Sequence, residues 1–130
     1  MYKFQQLVVY QLALDYIDQT YRLSSQFPDS ERFNLRSQLE RAATSIALNI
    51  AEGSTSQSDA EQNRFLGFAL RSYIETVACL DIVERRKYLK SDELSALRDF
   101  GHGLFVKLQA FRRSLGRTAS QPEQRRENGI

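Results

Sequence analysis

The chain has 130 residues, 42% of them hydrophobic, which suits one domain around one core and leaves little room for a second. Lysine and arginine total 18 against 16 acids, so the formal charge of +2 excludes a bulk polycation. The single cysteine, Cys79, excludes an internal disulfide and a multi-cysteine metal site, and no basic leader or run of about 18 apolar residues is visible; a cytoplasmic protein without membrane contact is expected.

With prolines only at 28 and 122, long segments remain uninterrupted and read as helices. The first is predicted from about Gln5 to Gln26, with Tyr10, Ala13, Leu14, Ile17 and Tyr21 as its core stripe. It ends at Phe27-Pro28-Asp29. A second starts near Ser30, carries Leu35, Leu39, Ala42, Ala43, Ile46 and Ile50 on one face, and has Gly53 suited to its C-terminus. After the polar connection Ser54–Gln57, Ser58-Asp59-Ala60-Glu61 matches a capping box, in which a serine and a glutamate satisfy each other's orphan backbone N–H groups. The third helix then runs through Phe65, Ala69, Tyr73, Thr76, Leu80 and Val83 to about Tyr88. The fourth opens at Ser91, follows Leu94, Leu97, Gly101, Leu104, Leu108, Phe111 and Leu115, and is expected to close at Gly116. Residues 1–116 thus form an all-α, antiparallel up-down-up-down four-helix bundle, and the polar segment 117–130 a disordered tail.

Two surface patterns bear on assembly. Helix 1 is apolar nearly all round, at Leu7, Val8, Val9, Tyr10, Leu12, Ala13, Leu14, Tyr16 and Ile17, and Leu66, Leu70, Ile74 and Val77 lie off the seam of helix 3. One core cannot take all of these, so a homo-oligomer is expected. Helix 2 also carries Arg41, Ser45, Asn49 and Glu52 on one face. That stripe is either a hydrogen-bonded network with Arg64, Ser72 and Glu75 that sets register, or a ligand contact.

The run Ser37-Gln38-Leu39-Glu40-Arg41-Ala42-Ala43-Thr44-Ser45-Ile46-Ala47-Leu48-Asn49-Ile50-Ala51-Glu52-Gly53 resembles the signature of the bacterial four-helix-bundle family of 23S rRNA intervening-sequence proteins. Phe4 to Ala13, Phe27-Pro28 with Glu31 and Leu35, and Arg64-Phe65-Leu66 through Ser72 and Glu75 resemble further pieces of it in the family's order. The resemblance implies a cyclic homo-oligomer, with a pentamer as the suggested form. It also implies a fold shared with accessory proteins of diversity-generating retroelements, which bind nucleic acid and a reverse transcriptase. The family's motif positions here are Arg41, Ser45, Asn49, Glu52, Arg64, Ser72 and Glu75. Glu40 and Arg71 depart from the pattern, standing where a basic residue and a glycine are common.

The inventory for catalysis is thin, with one histidine, one cysteine and no glycine-rich phosphate loop, so no enzyme, cofactor or metal is expected. His102, between Gly101 and Gly103, marks a close helix crossing or a kink more simply than a metal site. Cys79 reads as a small buried hydrophobe. Basic residues gather at the helix ends: Arg22, Arg32, Arg85, Arg86, Lys87 and Lys90 at one, with Arg112, Arg113 and Arg117 at the other. A ring would multiply each patch, so contact with RNA or DNA through these ends is the expected task. The competing expectation is a structural or protein-interaction oligomer with no nucleic-acid binding.

Overall fold

The computed structural model describes residues 1–55 and 58–128, the side chains of 117–128 excepted. Ser56, Gln57 and the side chain of Arg117 therefore lie outside the described residues. Four helices carry the fold: α1 (Val8–Ser24), α2 (Leu35–Ser54), α3 (Asp59–Arg85) and α4 (Ser91–Asn128), with short 3-10 turns at Lys3–Gln6 and Asp29–Glu31. No strand occurs among the described residues. Each helix packs along its chain neighbours and α1 closes against α4, while the two diagonal pairs make no comparable backbone approach. This is the expected four-helix bundle.

The predicted seam of α2 is the observed one, and that of α4 holds as far as Leu108, beyond which Phe111 and Leu115 are half-buried. Leu35, Leu39, Ala42, Ala43, Ile46 and Ile50 are buried, as are Leu94, Leu97, Leu104 and Leu108. Helix α1 is rotated from its predicted stripe: the buried face is Val9, Ala13, Tyr16, Thr20, Leu23 and Ser24, whereas Tyr10, Leu14 and Ile17 are half-buried and Tyr21 is exposed. Leu66 is fully buried, not off the seam of α3. The core therefore absorbs more of the apolar residues of α1 and α3 than the sequence implies. Of those expected to be surplus, only Val8 and Ile74 are exposed.

The helix ends differ from expectation for local reasons. Ser58 Oγ accepts from the Glu61 backbone N–H at 3.1 Å, as a capping serine should. At α4, Glu93 Oε1 accepts from the Lys90 backbone N–H at 2.9 Å, so the reach-back half of the box lies there. Gly53 is buried inside α2, where the chain passes so close to Phe65 that an added Cβ would lie 2.7 Å from the Phe65 Cβ. It permits a close crossing and does not end the helix. α4 likewise runs past Gly116, because no glycine among the described residues takes the left-handed conformation that stops a helix. Of the expected tail, the side chains of 117–128 and residues 129 and 130 lie outside the described residues.

Lys87 does take that conformation, with φ of 61°. The Tyr88 N–H reaches back to the Val83 carbonyl and the Lys87 N–H to the Glu84 carbonyl, both at 3.0 Å. These two bonds are a Schellman motif closing α3 after Arg85, three residues before the predicted end, on a lysine where glycine is the usual choice.

Candidate nucleic-acid interface

The polar stripe divides in two. Asn49 Nδ2 donates to the Ser45 carbonyl at 2.8 Å and lies 3.0 Å from Ser45 Oγ, and Ser72 Oγ donates to Ser45 Oγ at 3.0 Å. Ser45, Asn49 and Ser72 thus join α2 to α3 as a half-buried network. The charged members stand apart from it. Arg41, Glu52 and Glu75 are exposed, and their side chains make no hydrogen bond or ion pair among the described residues. Arg64 Nη1 pairs with Glu61 Oε1 at 3.0 Å, and its guanidinium lies over Phe65 and Phe68.

The α1–α2 and α3–α4 turns meet at one end of the bundle. Arg86 Nε donates to the Tyr88 hydroxyl at 3.5 Å, which donates to Glu31 Oε2 at 3.0 Å. Glu31 Oε1 also accepts from Asn34 Nδ2 at 2.9 Å and from the Leu35 N–H. These donors, led by Asn34 and then Tyr88, hold the Glu31 carboxyl below its ordinary value of 4.5.

Of the carboxylates near the basic cluster, Glu31, Asp81, Glu84 and Glu93 have partners, whereas Asp29 and Asp92 are exposed and make no ion pair among the described residues. Arg98 from α4 lies 3.0 Å from Asp81 Oδ1 and 3.6 Å from Glu84 Oε1, one guanidinium shared between two carboxylates. Glu93 caps α4, and Glu31 is held by the turn. Arg22, Arg85, Lys87 and Lys90 are exposed without an ion pair among the described residues, as is Arg32, which lies over the Phe33 ring at 5.1 Å. Among the described residues, Arg86 is the member of the predicted cluster whose side chain makes a hydrogen bond.

The other predicted basic end is not a free cluster. Arg112 Nε donates to Asn63 Oδ1 at 2.7 Å and Asn63 Nδ2 to the Arg112 carbonyl at 3.2 Å, which folds this arginine against α3. Arg113 is exposed. The sequence also gave no indication of the role of Glu40, whose Oε2 accepts from Ser24 Oγ at 2.6 Å and pairs with Arg36 Nε at 3.1 Å. Its departure from the family pattern serves the α1–α2 contact.

A family model described as 23S rRNA-intervening sequence protein matches residues 5–104. The chain belongs to this family. The matched span holds the whole stripe from Arg41 to Glu75 and the basic α3–α4 turn, while Arg112, Arg113 and Arg117 lie beyond it. A crystal structure of a protein of unknown function from the S23 ribosomal protein family of Bacteroides thetaiotaomicron VPI-5482 superposes with a TM-score of 0.75. The two are 24% identical over 81% of this chain and 98% of that one, and the likeness shows the fold. No curated protein matches. In this intervening-sequence protein, no helix is long and apolar enough to cross a membrane, and no group of three or more His, Cys, Asp or Glu side chains that could hold a metal ion occurs among the described residues.

Proposed function

We propose that this protein is a non-catalytic, self-associating four-helix module of the cytoplasm that binds RNA or DNA at the end formed by the α1–α2 and α3–α4 turns. The observation that carries the reading is the imbalance at that end. Arg22, Arg32, Arg85, Lys87 and Lys90 make no ion pair among the described residues, against the two unpaired carboxylates of Asp29 and Asp92, while Arg98, the Tyr88 hydroxyl and the α4 cap occupy Asp81, Glu84, Glu31 and Glu93. Cations so exposed suit phosphate contacts, and a homo-oligomer such as the suggested pentamer would repeat them around a ring.

A non-catalytic role is supported by the state of the two nucleophile candidates. Cys79 is buried, and burial pushes its thiol up, away from thiolate chemistry. His102 is exposed on α4 and, among the described residues, its side chain makes a ring contact with Phe105 at 6.4 Å and no hydrogen bond. Self-association is supported by the largely apolar groove that Leu7, Val8 and Val9 form with Lys107, Ala110 and Phe111 of α4.

Light scattering after size exclusion, with and without cellular RNA at about 50 and 200 mM salt, tests the reading, because phosphate contacts weaken steeply over that range. An oligomer that shifts with RNA only at the lower salt supports it. An oligomer indifferent to RNA favours a protein-interaction scaffold, in which the Ser45–Asn49–Ser72 network sets register, and a clean monomer overturns self-association.

A further inference from the structure

A second cationic surface lies along the outer face of α3, away from the bundle end. It is a groove of about 650 Å³ whose wall and floor include Asn63, Arg64, Gly67, Phe68, Arg71 and Arg112. Three of these six are arginines, and none of the residues lining the groove is acidic. Glu61 meets Arg64 at the rim. Arg71 is exposed and has no ion pair among the described residues.

The arginines are held in place by specific packing. A Cβ on Gly67 would stand 3.0 Å from Arg112 Nη2 and 3.2 Å from its Cζ, so glycine here leaves the space in which the guanidinium lies across α3. Asn63 fixes that guanidinium through Nε with a neutral partner, leaving its charge uncompensated and its Nη groups without a hydrogen bond among the described residues. On the other side, Arg64 and Arg71 stand 5.4 and 6.0 Å from the Phe68 ring centroid. Phenyl and guanidinium groups thus make one surface on which a planar ring can stack, between cations that can take phosphate.

We propose that this groove is a binding site for single-stranded nucleic acid, in which Arg64, Arg71 and Arg112 take successive backbone phosphates and Phe68 with its flanking guanidiniums stacks a base. Charge favours a polyanion here, since Arg71 and Arg112 carry no ion pair among the described residues and no lining residue is acidic, while Leu70 and Ile74 also line the groove and make a second copy the competing outcome of the test. Base stacking beside a cationic track is sequence-tolerant and favours strands whose bases are free of pairing. The site is separate from the bundle end and does not depend on binding there.

Fluorescence anisotropy with a labelled oligo(dT) of about twelve nucleotides, an abasic oligomer of the same length and the corresponding duplex tests the proposal. The native protein should bind oligo(dT) at about 50 mM salt more tightly than either comparison strand. Phe68→Leu, which retains bulk without the π-face, should weaken oligo(dT) binding at least about fivefold and leave the abasic oligomer unchanged. Arg71→Ala should weaken both, and should do so by the same factor in a background already carrying Arg85→Ala, which separates the groove from the bundle end. Circular dichroism confirms that each variant is folded, and Arg71, being exposed, provides a test independent of any packing role of Phe68. The proposal is overturned if oligo(dT) does not bind, if only the bundle-end variant weakens it, or if Arg71→Ala changes the oligomer mass without nucleic acid, which would make the groove an interface between copies.

Discussion

The Tyr16 hydroxyl and Thr76 Oγ1 lie 2.8 Å apart in the core and tie α1 to α3 across the bundle diagonal. Thr76 Oγ1 donates to the Tyr73 carbonyl, so the tyrosine is the donor in the diagonal bond. The two partners should therefore respond differently. Thr76→Val leaves a buried hydroxyl with no acceptor and should cost about 1–3 kcal/mol, whereas Tyr16→Phe removes donor and demand together and should cost about 0.5–1.5 kcal/mol. Chemical denaturation of both variants checks the order, and equal losses would remove the diagonal bond from the account.

The same tyrosine sets an alkaline limit. Burial pushes the Tyr16 hydroxyl up to about 12, against an ordinary value of 10.0. A raised folded value means that its contribution is fully present below pH 10.0 and is lost as the pH rises from there toward 12. The stability difference between the native protein and Tyr16→Phe should hold constant to pH 10 and move against the native protein above it. A difference that does not change with pH would contradict the assignment.

The glycines flanking His102 are not equivalent. A Cβ on Gly101 would fall 2.8 Å from Tyr16 Cε1 and 2.9 Å from Tyr73 Cε1, two rings fixed by the core, while one on Gly103 meets nothing within 4 Å. Gly101→Ala should destabilise by about 1–3 kcal/mol through overpacking. Gly103→Ala should stabilise by about 0.5–1 kcal/mol, since only the flexibility of the unfolded chain is lost. Melting temperatures moving a few degrees in opposite directions would confirm both; two losses would show a further constraint at Gly103.

Where the sequence was legible depends on how one-sided each helix is. In α2 and α4 the leucine and isoleucine stripes are flanked by charge, and periodicity finds the buried face. In α1 the apolar residues nearly surround the helix, and two polar residues, Thr20 and Ser24, sit on its core side. Thr20 Oγ1 bonds to the Tyr16 carbonyl at 2.7 Å and Ser24 Oγ to Glu40, partners that no spacing rule reveals. The candidate site divides in the same way. Basic residues at the α3–α4 turn were visible as a cluster, but Arg98, shared between Asp81 and Glu84, lies in the next helix. The groove on α3 was invisible because Gly67 and Arg112 are brought together only by the fold.

Glu31 predicts an acid limit at the interface end. Its carboxyl is held below 4.5 by Asn34, Tyr88 and the Leu35 N–H, so its contribution is present above pH 4.5 and lost as the pH falls through the lower folded value. Glu31→Gln should be less stable than the native protein at pH 7 and converge with it in acid. Denaturation midpoints from pH 7 to 3 test this, and a gap that persists at the lowest pH would assign the loss to packing instead.

Lys87 separates stability from function most directly. Its left-handed conformation disfavours a side chain, and the Schellman bonds it closes use only its backbone, so Lys87→Gly should raise stability by about 1 kcal/mol. The same substitution deletes one of the unpaired cations at the proposed nucleic-acid end, and should reduce RNA retention at low salt and flatten its salt dependence by about one phosphate contact. A variant that is both more stable and weaker in RNA binding would show that the lysine is kept for its charge at a cost to the fold. Greater stability with unchanged retention would take Lys87 out of the interface and leave Arg85 and Lys90 to carry the test.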